Sequence, residues 1–384
     1  MTFYDGLAFF ILLLIALVPA VVLGLMGKRI KHYAMLLSLF WVYIIYREES
    51  IQLFYLIVYL FVEWHVIAIY QVCRRRFGQN KPIYHHALIL GLLPLFIAKF
   101  SGFLGHSWFG FLGVSYITFK VIQIIIESYD GVIEKSSFYS TMSFLLFFPT
   151  ISSGPIDRSR RYEADCNITL AREAYLELLG SGIWKILLGI LYKFVLSAIA
   201  FQLMGQVEQS QQIGALIAYA YLYGFYLFFD FAGYSLMAIG TSYVLGIKTP
   251  DNFNKPFISR DIKDFWDRWH ITLSHWFRDF LFSRFIMNAI RNKWFRNRMN
   301  AASAGFMINM LVMGLWHGPT IDYLIYGLYH GTLLALTERM QKKRWYKKVK
   351  DKPWYQAVSW FVTLNLVMFG FFIFSGRLTD LIGL

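Results

Sequence analysis

Residues 6–26 read GLAFFILLLIALVPAVVLGLM, a run without a single charge, and comparable apolar runs return at 51–73, 183–204, 213–229 and 355–374. A hydrocarbon core about 30 Å thick is crossed by about 20 helical residues. No water reaches the backbone there, so each N–H and C=O must be satisfied within the protein, which leaves helices or a closed barrel. Barrel strands need only about 10 residues of alternating polarity, and these runs do not alternate. The expectation is an all-α polytopic membrane protein. Only 16% of the 384 residues are charged, against about a quarter in soluble domains.

The formal net charge is +14, and it is clustered. Basic groups gather at 28–31, 74–81, 158–161 (RSRR), 291–298 and 342–352, at the ends of apolar spans. That is the pattern of cytoplasmic loops under the positive-inside rule. It fits anionic membrane lipids or an acidic protein partner, and it argues against nucleic acid as a partner. Asp5 is the only charge before the first run, and Lys28, Arg29 and Lys31 follow it, so this run reads as a retained span with its N-terminus outside. Cys73 and Cys166 support neither a disulfide framework nor a thiolate metal site. The longest polar interruptions, 154–173 and 248–264, are too short for a core of their own, so residues 1–384 read as one membrane domain without internal repeat. Three crossings between 81 and 158 would put RSRR outside. The short run 138–151, which ends in Phe148-Pro149-Thr150 and Gly154-Pro155, is therefore expected to be re-entrant or interfacial.

Two Trp-His pairs carry the chemistry. Trp316-His317 lies in NMLVMGLWHG, where Asn309 is the one side-chain amide and no residue is charged. An ionisable group at bilayer depth is costly and reads as functional. Low dielectric disfavours the imidazolium and leaves a neutral ring able to act as a general base. Gly314 and Gly318 are expected to let a substrate approach the ring closely. Trp269-His270 lies in DIKDFWDRWHITLSHWFRDF, residues 261–280, where charges recur every three or four positions in an amphipathic helical pattern. His270 is the natural partner of His317, for orienting it, polarising a carbonyl or holding a hydroxyl. A structural role for either histidine, or a metal site, is the competing reading. However, His270 and His275 are five apart, and no HExxH arrangement is present.

Other polar groups at depth are Asp230 near Tyr226, Tyr234 and Ser235, the pair Glu63 and His65 within one span, and His330. Asp230 must be paired or wet. There is no GxSxG elbow and no Walker A or GxGxxG motif, which disfavours a serine-hydrolase intermediate and nucleotide binding. What remains is direct transfer between two bound substrates, with histidines handling protons.

Five strings resemble the membrane-bound O-acyltransferase family, in family order: FLGVSYITFKVIQ at 111–123, LLFFPTISSGPIDR at 145–158, YLFFDFAGYSLMAIG at 226–240, DFWDRWHITLSHWFRDF at 264–280 and MGLWHGPTIDYLIYGLYHG at 313–331. Arg278-Asp279 continues into FLFSRFIMNAIRNKWFRNR rather than a Pro-Leu-Gly-Gly turn. That continuation resembles the branch moving D-alanine toward teichoic acid in Gram-positive bacteria. The resemblance implies about 10–12 membrane helices, with re-entrant and interfacial helices around a central tunnel. It implies His317 as the catalytic histidine and His270 as the second active-site position. No resident cofactor is implied; the acyl group arrives as a phosphopantetheine thioester on a small acidic D-alanyl carrier protein. Lipoteichoic acid is the final acceptor. A membrane-anchored serine-hydrolase-like protein and a small single-span peptide are the further implied partners.

On this reading Trp269, Trp316 and His270 are candidate oxyanion donors, and Asn309, Asp230 and Ser235 candidate lining of the substrate passage. From 280 to 298, Phe282, Phe285, Ile286 and Ile290 form an apolar face followed by Arg291, Lys293, Arg296 and Arg298, a surface suited to an acidic carrier. A helix lying on anionic lipid is the rival reading of that stretch. The alternatives for the whole chain are an O-acetyltransferase of an exopolysaccharide, and a transporter or scaffold that makes no bonds.

Overall fold

The computed structural model describes residues 2–104 and 108–383, which form helices and loops with no strand among them. Seven stretches in the described residues are long and apolar enough to cross a membrane: Leu7–Leu25, Lys31–Phe77, Lys81–Phe100, Arg172–Val207, Ile213–Val244, Arg298–His317 and Pro353–Phe374. The 47-residue stretch Lys31–Phe77 would extend about 70 Å if straight. It is two helices, Lys31–Tyr46 and Ser50–Phe77, separated by a 3-10 turn of three charged residues, Arg47–Glu49. The chain is thus an all-α polytopic membrane protein. It divides into two compact units, one holding the chain up to Ile190 with Tyr234–Pro250, the other Leu191–Gly233 with the chain from Asp251 onward.

In the first unit the helix Val114–Tyr129 is buried along almost its whole length. Beside it the run 138–151 is no span: an eight-residue helix, Phe138–Leu145, stops and gives way to the 3-10 turn Phe148–Thr150, all of it buried from Thr141 on. The break leaves orphan carbonyls in a dry interior, and a buried lysine meets them. Lys120 Nζ donates to Phe144 O at 3.0 Å and Thr150 Oγ1 at 3.2 Å. Ser38 Oγ accepts from Phe148 N at 3.2 Å. Glu63 and His65 do not pair as expected. Glu63 is fully buried, whereas His65 Nδ1 bonds to Phe61 O on the exposed side, because residues two apart on a helix point in different directions.

In the second unit the helix Arg298–His317 and the helix Ile321–Gln341 form a hairpin that places the site. They meet backbone to backbone. A Cβ on Gly314 would stand 2.2 Å from Tyr323 O, one on Gly327 2.6 Å from Met310 O, and one on Gly331 3.0 Å from Met307 Cα. Without a hydrophobic drive between helices in lipid, such small residues give the packing its contact. This corrects the expectation for Gly314 and Gly318: the space they leave is filled by Tyr323, its carbonyl against Gly314 and its ring against Gly318. His317 is the last residue of its helix.

Gly314→Ala is therefore expected to cost about 1–3 kcal/mol, the usual range for overpacking, read as a lowered thermal unfolding midpoint in detergent. Gly205→Ala, at a helical glycine with open space around its Cβ position, is the control and should leave the midpoint unchanged or raised. Equal midpoints for the two variants would contradict the close-contact hairpin.

Candidate active site

The stretch 261–280 is not one continuous helix. Asp261 caps a short helix, Ile262–Trp266, by accepting from Lys263 N and Asp264 N; a turn follows, and a second helix starts at Ile271. His270 forms the junction with φ 43° and ψ 53°, the left-handed region, which costs a residue with a Cβ about 1–2 kcal/mol. The segment 252–254 holds it there. Asn252 O accepts from Ile271 N at 2.9 Å, Asn252 Oδ1 accepts from Thr272 Oγ1 at 2.6 Å, and Arg268 O accepts from Asn254 N at 3.0 Å. Non-glycine strain held in this way is typical of functional sites. Asn252 was not singled out by sequence pattern.

The His270 ring is buried and meets Phe231 edge-on, with centroids 4.6 Å apart. Nε2 has no hydrogen-bond partner among the described residues. Burial holds its pKa well below the ordinary imidazole value, and the nearby His317 pushes in the same direction. Beneath it Trp269 is wedged among Phe253, Phe265 and Phe371 at centroid distances of 5.1, 5.6 and 4.8 Å. This packing fixes the turn from below.

His317 is half-buried at the end of its helix, against Trp316 at 4.6 Å, Phe374 at 4.9 Å and Tyr323 at 5.8 Å. Along the same helix runs a cavity of about 430 Å³. Its mouth carries Lys263, Arg278 and Glu338, and its walls are Phe282, Phe306 and Met310. Asn309 and Met313 line it, and Met313 is one turn, about 6 Å, short of His317. Asn309 is buried, and its Oδ1 has no hydrogen-bond partner among the described residues. Glu338 accepts from Lys263 Nζ at 2.7 Å and lies a few residues before the basic cluster 342–352, so the mouth opens on the face that the charge pattern marks as inner.

Asp230 is paired, as depth requires. Lys193 Nζ, from the π-helical stretch Leu191–Leu196, bonds to its Oδ1. Lys193 is one of two lysines in the apolar run 183–204, with Lys185, and the spacing does not say which of them meets Asp230. Ser235 is buried with an unpartnered Oγ among the described residues, and it belongs to the other compact unit. On the 280–298 stretch, Phe282 stacks on Phe306 at 4.7 Å, and Phe282 and Ile286 press on Gly305. Phe285 packs on Trp294 and Phe295. Ile290, Arg291 and Lys293 are exposed. The four apolar residues thus do not share one open face: a helix this close to its neighbour turns two of them inward.

Across residues 30–376 the sequence matches the membrane-bound O-acyltransferase family. The teichoic acid D-alanyltransferase of Bacillus subtilis (strain 168) is 42% identical over an alignment covering 98% of each chain. That of Streptococcus thermophilus is 39% identical over 98% of this chain and 96% of its own. A probable alginate O-acetylase of Pseudomonas syringae is 32% identical over 69% of this chain and 49% of its own.

The neutral His270 sets a pH test. Its folded pKa is depressed, so below about pH 6.5 the unfolded chain takes up a proton that the folded chain refuses. Stability from this group is level above that pH and falls by up to about 1.4 kcal/mol per unit below it. Unfolding midpoints of the wild type should drop between pH 6.5 and 5.5 more steeply than those of His270→Asn. Parallel curves would contradict the buried, neutral imidazole.

Proposed function

Since the chain belongs to the membrane-bound O-acyltransferase family and is an acyltransferase of the cell membrane, we propose that it moves D-alanine from a phosphopantetheine thioester, presented by an acidic carrier protein on the inner face, to a hydroxyl on the route to lipoteichoic acid. The observation that carries this reading is the cavity with a charged inner mouth and apolar walls that runs along the His317 helix and stops one turn short of the histidine. A cavity of about 430 Å³ suits an extended thioester arm and admits no carrier domain. The two D-alanyltransferase relatives, aligned over nearly their whole length, support D-alanine as the acyl group. The third relative keeps acetyl as the second reading, because it is an O-acetylase by name.

The chemistry balances without a resident cofactor. The acceptor hydroxyl attacks the thioester carbonyl while its proton passes to the neutral His317 ring. The tetrahedral oxyanion collapses, the C–S bond breaks, and the imidazolium returns the proton to the departing sulfur. An ester and a free thiol result. His270, held rigidly by its turn with Nε2 unpaired among the described residues, polarises the carbonyl or positions the hydroxyl. Trp316, beside His317, and the buried Asn309 are the further lining groups. The exposed Ile290, Arg291 and Lys293 form the surface for the carrier, with charge steering and a small apolar contact. The immediate acceptor is lipoteichoic acid or the hydroxyl of a membrane-anchored partner protein, assisted by a single-span peptide.

Transfer in reconstituted membranes tests this. Labelled D-alanyl carrier should donate and acetyl donors should not. His317→Ala should lower transfer at least about a hundredfold, the scale of lost general-base catalysis, with folded protein still in the membrane. Ile290→Asp should weaken carrier binding. Preference for acetyl donors, or transfer by His317→Ala at the wild-type rate, would overturn the reading.

A further inference from the structure

The Lys193–Asp230 pair has a property that a simple helix staple does not need: it is open. The two side chains are 19% and 37% exposed. An ion pair within apolar spans loses hydration and gains back only what its partners supply, so an uncovered one must face water or a polar ligand. Its height can be read along the helices. Lys193 lies well inside the apolar stretch Arg172–Val207, and Asp230 well inside Ile213–Val244. Both groups therefore stand at depth in the bilayer, away from either surface. Phe231, the next residue, is the ring that abuts His270. Lys193 sits on a π-helical stretch, a distortion that recurs at functional sites.

The chemistry of the pair selects its ligand. An ammonium donates and a carboxylate accepts. A hydroxyl does both, so an alcohol can bridge the two groups, whereas Asp230 repels a phosphate. We propose that Lys193 and Asp230 form a hydroxyl-binding subsite for the acceptor alcohol, beside the Phe231–His270 contact. This rests on the acyl-transfer reading above and adds the acceptor's side to it.

The test uses the full chain in nanodiscs, D-alanyl-pantetheine thioester as donor and glycerol as acceptor. Lys193→Met and Asp230→Asn should each raise the KM for glycerol at least tenfold while the KM for the thioester stays within twofold. Lys193→Arg, which keeps the ion pair, should restore the glycerol KM to within threefold. A pair that only held the helices together would lower the unfolding midpoint and kcat and leave the ratio of the two KM values unchanged; that result overturns the subsite. A second readout needs no turnover. Saturating glycerol should slow modification of Lys193 by a membrane-permeant amine-reactive ester, followed by mass spectrometry. Absent protection with intact transfer overturns the subsite alone. Protection in a protein that transfers D-alanine to no alcohol supports the subsite and overturns the acyl-transfer reading.

Discussion

A backbone inside hydrocarbon must close its own hydrogen bonds, and each compact unit of this protein has places where a helix breaks that rule. Each break has a specific seal. Lys120 supplies the Nζ donor that meets Phe144 O where the Phe138–Leu145 helix stops. Asn252 takes up the backbone and side chain that follow His270. The His317 helix ends against Tyr323, which fills the space left by Gly314 and Gly318. Broken helices give short polar stretches at depth, and the seals make them rigid.

Rigidity is what the two histidines share. His270 occupies a backbone conformation costing about 1–2 kcal/mol, stabilised by bonds to 252–254 and by the ring packing under Trp269. His317 is set by a hairpin in which a single added methyl group would strike backbone. Both are held by packing and by their place at a helix end, and the His270 Nε2 has no hydrogen-bond partner among the described residues.

Much of this was legible in the sequence. The apolar runs gave the spans, and the Pro-Gly breaks near 149–155 gave a short buried segment rather than a crossing. Asp230 was expected to be paired or wet, and it is paired. Its partner, Lys193, was hidden because contacts between spans have no period to read. The same limit explains 261–280, where the spacing of charges suits a helix although the backbone turns at His270. Periodicity reports which face is polar and is silent on one left-handed residue. The glycines beside His317 were read as room for substrate, yet they serve the helix partner, because a glycine marks close approach without naming what approaches.

The central claim is that the cavity beneath His317 is entered from the inner face, and site-directed labelling tests it most directly. In a chain with Cys73 and Cys166 replaced by serine, Asn309→Cys lines that cavity two turns before His317. A membrane-impermeant thiol reagent should modify it in inside-out vesicles and fail to do so in right-side-out vesicles. A pantetheine thioester added on the inner side should slow the reaction. Modification from the outer face alone would contradict a donor that arrives from within.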